Sequence, residues 1–129
     1  MIQVAWDNDD HTIIICTFDE GWSITNLFNA LDEVYCLMET VEHEVYVIFD
    51  LSEANSLPTV SLSSFKNATI KIHPRIKMFI DVTDSMLIIR LTNMFKILYK
   101  DAVVIYMFDS LDEAHQFIAY DMKNTSLDA

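Results

Sequence analysis

The side chains able to do chemistry are few in this chain, and they are far apart. His11, His43, His73 and His115 are scattered along it, and Cys16 and Cys36 have no partner at the short spacing a zinc site uses. There is no Gly-x-Ser-x-Gly nucleophile word and no close Cys/His or Ser/His pair. A phosphate-cradling loop needs glycines so that backbone N–H groups can approach the anion, and Gly21 is the only glycine. Asp7, Asp9 and Asp10 resemble part of a calcium loop, but the glycine of the sharp turn and the distal bidentate glutamate are missing, which predicts a solvated turn. Asp50 and Asp81 end what read as adjacent strands, at the carboxyl edge where α/β sheets place their ligands. A carboxylate pair is one reading of them, and capping of the following loops is the expected one. The sequence therefore predicts no catalytic residue, no metal site and no cofactor.

The elements that would have to position any site follow from apolar periodicity. Ile2, Val4 and Trp6 alternate in a first strand over 1–6, Asp7-Asn8-Asp9-Asp10 turns, and Thr12–Phe18 is a β-branched second strand. Ile24, Leu27, Phe28, Leu31, Val34, Tyr35 and Met38 recur at helical spacing, behind Ser23 or Thr25 as N-cap. Glu44–Leu51 reads as a buried strand, and a helix of weaker helix formers starts at Thr59 with Leu62, Phe65 and Ala68 inward. Arg75–Val82 alternates Ile76, Met78, Ile80 and Val82 against Arg75, Lys77, Phe79 and Asp81. A helix capped by Asp84 or Ser85 runs to about Tyr99, Ala102–Phe108 is the last strand, and Ser110-Leu111-Asp112-Glu113 is a capping box for a final helix. The order is β-β-α-β-α-β-α-β-α. It predicts an α/β domain over 1–122 with a mainly parallel, mixed five-stranded sheet whose first strand is antiparallel, and a frayed tail over 123–129.

A length of 129 residues suits one domain with a core of its own, and 52% hydrophobic against 22% charged residues is a globular balance. No apolar run is long enough to span a bilayer, the first residues read as a strand instead of a signal peptide, and two cysteines predict a reduced, cytoplasmic chain. The formal charge of −12 disfavours nucleic acid and anionic membrane as partners. That charge is unevenly spread, because seven of the eight bases lie between Lys66 and Lys100, a segment whose only acids are Asp81 and Asp84. Such a dipole would orient a protein partner or a second copy of the chain.

Three segments carry a family resemblance: the opening hairpin with the helix after Trp22, the apolar strand that ends in Asp50-Leu51-Ser52, and Phe108-Asp109-Ser110-Leu111-Asp112-Glu113-Ala114. With the element order they resemble the STAS domain, the sulphate-transporter and anti-sigma-factor-antagonist fold, in a degenerate, SpoIIAA-like form. The resemblance implies a non-enzymatic protein-interaction module of a bacterial regulatory pathway. In the antagonist branch a serine at the start of the helix after Asp-Leu-Ser is phosphorylated by the partner kinase. Here the matching stretch reads Leu57-Pro58-Thr59-Val60-Ser61, without the family's Ser-Gly word. Thr59 and Ser61 are the candidate phosphoacceptors, since a helix N-terminus favours a dianion and Lys66 lies two turns on, although a cap is the simpler role.

Two apolar excesses point to a contact surface. In the helix over 85–99, an inward stripe of Leu87, Leu91, Met94 or Phe95, and Leu98 leaves Met86, Ile88, Ile89 and Ile97 on other faces, with Arg90, Asn93 and Lys96 as a thin polar side. Such a helix is deep in the core, docked on a partner, or lining an apolar ligand. In the sheet, Ile14, Cys16, Tyr46, Ile48, Phe79 and Tyr106 read as one face too apolar for water if every helix packs on the other, so either helices cover both faces or another chain does, with a homodimer favoured. The expected partner surface is Thr59, Ser61, Lys66, Met86, Ile89 and Ile97, with a carrier of a small apolar ligand as the alternative function.

Overall fold

The structure, a computed structural model, describes residues 1–54, 72–98 and 104–127. The described chain runs β1 (Ile2–Trp6), β2 (Ile13–Phe18), α1 (Ile24–Met38), β3 (Val45–Asp50), β4 (Ile76–Val82), α2 (Met86–Leu98), β5 (Ile105–Phe108) and α3 (Leu111–Leu127). The five strands form one sheet in sequence order, with β1 antiparallel to β2 and the other neighbours parallel. The helix expected from Thr59 lies outside the described residues.

Local sequence explains the boundaries. Asn8 shapes the β1–β2 turn, its Oδ1 accepting the N–H groups of Thr12 and Ile13 while His11 takes the left-handed conformation at φ 54° and stacks on Trp6. Ser23 is the N-cap of α1: its Oγ accepts the Asn26 N–H, and Asn26 Oδ1 accepts the Ser23 N–H in return, a capping box with asparagine where glutamate is usual. After β3, Asp50 Oδ1 accepts both the Ser52 N–H (3.1 Å) and its hydroxyl (2.7 Å), the Asx turn written in Asp50-Leu51-Ser52. Ser110 caps α3 by accepting the Glu113 N–H.

Helices cover both faces of the sheet. Advancing from β2 to β3 and from β4 to β5 in the same direction, right-handed crossovers must deliver α1 and α2 to one side. There Ala30, Val34 and Met38 of α1 and Ile88 of α2 pack on Ile14, Cys16, Val45, Val47, Phe79 and Ile105. No crossover follows β5, and α3 turns back over the other side, where Ala114 and Ile118 pack on Ile13, Tyr46, Ile48, Met78, Ile80 and Val82.

This corrects the face assigned from alternation. Ile14, Cys16 and Phe79 belong to the first side, while Tyr46 and Ile48 belong to the second, where Tyr106 meets the Phe117 ring. Register decides it, since Ile14 lies beside Val47 and Cys16 beside Phe49. The sheet therefore gives no argument for a second copy of the chain. In β4 the alternation also breaks. Val45 pairs with Ile76 but Tyr46 with Met78, so Lys77 is an extra residue, and Ile76 packs on the side opposite to Met78. At the far end, α3 runs through Leu127. Once packing fixes its first turns, each further residue adds a hydrogen bond without a new nucleation cost.

Candidate functional site

The residues proposed for chemistry do not converge. Asp50 and Asp81 cannot pair, because Phe49 lies beside Asp81 and Asp50 beside Val82, so the two carboxylates project to opposite sides of the sheet. His73 Nε2 meets Glu39 at 2.9 Å, His115 Nε2 meets Asp7 at 2.5 Å, and His43 sits against its neighbour's carbonyl. Among the described residues no group of three His, Cys, Asp or Glu side chains is placed to hold a metal ion. Cys16 and Cys36 are both free, and burial, with the charge of Glu33 adding to it, pushes the Cys16 thiol up to about 12, which makes it a poor nucleophile.

One feature missed at the level of sequence stands out beneath α2. Asp81 is 6% exposed, buried with Thr83 and Thr92 among mostly apolar side chains, and the Thr92 hydroxyl donates to its Oδ2 at 2.8 Å. Burial pushes the Asp81 carboxyl up to about 6, against the opposing pull of the Thr92 hydrogen bond and the Lys96 charge. Ser85 starts the helix, its Oγ accepting the Ile88 N–H, while its own N–H donates to Thr83 Oγ1 at 3.1 Å. The inward stripe is thus Ser85, Ile88, Thr92 and Lys96, at successive turns.

The stripe expected to face inward is Leu87, Leu91, Met94 or Phe95, and Leu98. Leu91 is half-buried, Leu87 and Met94 are exposed, and the side chains of Phe95 and Leu98 lie outside the described ones. The helix is rotated so that the Thr92 hydroxyl, not a leucine, meets the buried carboxylate, with the Lys96 charge acting on it. The turn outward carries Met86 (62% exposed) and Ile97 (73%), with Leu87, Met94, Arg90 and Asn93 around them. Of the expected partner surface, Met86 and Ile97 are fully outward, Ile89 is half-buried, and Thr59, Ser61 and Lys66 lie outside the described residues.

On the other side of the sheet α3 is held by polar as well as apolar contacts. The hydroxyl of Tyr46, a buried residue, donates to Asp121 Oδ2 at 2.5 Å, Lys77 Nζ meets the same oxygen at 3.1 Å, and Lys77 also lies over the Tyr46 ring. Burial by itself raises the Asp121 carboxyl, but the bonds from Tyr46 and Lys77 and the Lys77 charge outweigh it and hold the carboxyl below its ordinary value. A depressed carboxyl contributes stability above its unfolded value, and that stability is lost as the pH falls through the folded one. Tyr46→Phe should therefore cost about 1.5–3 kcal/mol at neutral pH, by the usual worth of a hydrogen bond to a charged group. Denaturant melts at pH 7 and pH 3 should show the difference between variant and parent shrinking in acid.

No protein-family model, curated protein or solved structure matches the chain. No helix among the described residues is long and apolar enough to cross a membrane.

Proposed function

We propose that the chain is a STAS-like, non-enzymatic protein-interaction module of a bacterial regulatory pathway, and that α2 is its contact surface. The observation that carries this reading is the outward face of α2. Two turns and more of a helix present Met86, Leu87, Met94 and Ile97 to solvent while the inward stripe is partly polar. Large apolar side chains grouped on one surface are the usual mark of a protein contact. The scattered histidines and the separated Asp50 and Asp81 support a role without catalysis. The carrier alternative drew on methionine and aromatic residues, of which Met38, Met78, Phe18 and Phe79 are packed in the two cores and are not left over for a ligand.

Met86→Glu and Ile97→Glu test the proposal. Both should leave the thermal midpoint within a few degrees of the parent, as exposed positions do. Both should lower the oligomer mass seen by light scattering, or weaken a purified partner's binding by tenfold or more. Unchanged mass together with unchanged partner binding in both variants would remove α2 as the contact surface. Native mass spectrometry with a bound small molecule retained would favour the carrier reading instead.

A further inference from the structure

Asp81 is an expensive residue to keep where it is. A carboxylate between two strands and under a helix loses most of its hydration, and one hydroxyl hydrogen bond with a nearby ammonium replaces only part of it. An aliphatic side chain would fill the same layer without that penalty. A buried ionisable group retained at such a disadvantage is a candidate for function.

What surrounds it narrows the role. Its strand neighbours are Phe49 on β3 and Met107 on β5, neither of them charged. From α2 it faces Thr92, with Lys96 one turn further on as the charge that acts on it. Cys16 lies on the same side of the sheet in β2, where Glu33 of α1 acts on it, and its thiol stays neutral over the working range of pH. Among the described residues, Thr92, Lys96 and the neutral Cys16 are the polar neighbours on this side of Asp81, whose own carboxyl is pushed up to about 6 by burial. His73 on the same side lies against Tyr35 of α1 and bonds Glu39. The Asp81 hydrogen bond runs to the middle of α2, the helix whose other side is the apolar surface described above.

We propose that Asp81 is a proton-dependent seat for α2: the protonated carboxyl holds the helix down on the sheet, and the ionised carboxylate loosens it so that water can reach the charge. The seat itself does not depend on α2 being a contact surface. Only its consequence, that partner binding through α2 varies with pH, rests on that reading.

The sign follows from the direction of the shift. The seated state favours the protonated acid, so its advantage is fully present below the unfolded value of Asp81 and is lost as the pH rises through about 6. Amide hydrogen exchange on the isolated chain, corrected for intrinsic rates, reads this directly. Protection of the α2 amides around Ile88–Thr92 should fall about tenfold from pH 5 to pH 7.5, while that of α1 around Ala30–Val34 should not follow it. In Asp81→Asn the α2 difference should vanish. Thr92→Val removes the donor that favours the ionised form, so its transition should move to higher pH. Protection of α2 that is flat in the parent, or a difference that survives in Asp81→Asn, would overturn the seat, as would a Thr92→Val transition that stays in place or moves down. Because no partner is present, none of these outcomes bears on the Met86 and Ile97 variants. Those variants failing would leave the seat intact but without the proposed partner.

Discussion

Ile118→Ala should destabilise the protein by about 2–5 kcal/mol, a large share of the roughly 5–15 kcal/mol that holds a domain of this size folded. Ile118 is almost wholly buried and packs in the layer formed by Tyr46, Ile48, Met78, Ile80 and Val82. Removing three carbons leaves a cavity that α3 can close only by tilting, and its bonds from Asp121 to Tyr46 and Lys77 and from His115 to Asp7 resist that. Urea denaturation is the measurement, and the slope should stay near the parent's, since the same surface unfolds. A loss under about 1 kcal/mol would mean that α3 does not cover this side of the sheet.

Asp81→Asn is expected to act in the opposite direction, making the protein more stable at pH 7.5. Folding raises the Asp81 carboxyl from 3.8 to about 6. Each unit of that difference is worth about 1.4 kcal/mol, so ionised Asp81 subtracts on the order of 3 kcal/mol above pH 6. Asparagine keeps an acceptor for the Thr92 hydroxyl, but its N–H groups need a partner in an apolar layer, which returns about 1–2 kcal/mol of the gain. A net increase of about 1–2 kcal/mol at pH 7.5, equivalent to several degrees in the thermal midpoint, is the expected result. At pH 4 the parent acid is itself neutral, and the advantage should disappear or reverse. Calorimetry at the two pH values decides it, and a variant less stable than the parent at pH 7.5 would show that the carboxylate is better compensated than its burial implies.

The two carboxylates, Asp81 and Asp121, respond to acid with opposite signs. Protonation strengthens the hold on α2 and weakens the hold on α3. The first is buried with one hydroxyl donor, while the second is partly exposed and receives a phenol and an ammonium. Environment, not residue type, sets the direction.

Much of the fold was legible in sequence because the deciding interactions are local. The five strands and α1 follow from period and from turn chemistry. Ser23 with Asn26, Asn8 with Thr12 and Ile13, and Asp50 with Ser52 each join residues within five positions of one another. The mixed sheet with β1 antiparallel follows from the opening hairpin and from α1 and α2, which lie between β2 and β3 and between β4 and β5. What sequence could not decide is which side of an element faces inward when both sides are apolar. In β2 and β3 alternation carries little contrast, and in β4 the extra residue at Lys77 interrupts it, so the sides were assigned only by register. In α2 several apolar stripes compete, and the one that won contains Thr92 because Asp81, eleven residues earlier and on another element, lies opposite it. That choice is energetic and non-local: desolvating a carboxylate beside a leucine costs more than leaving Met86 and Ile97 in water, and only the assembled layers bring those alternatives into comparison.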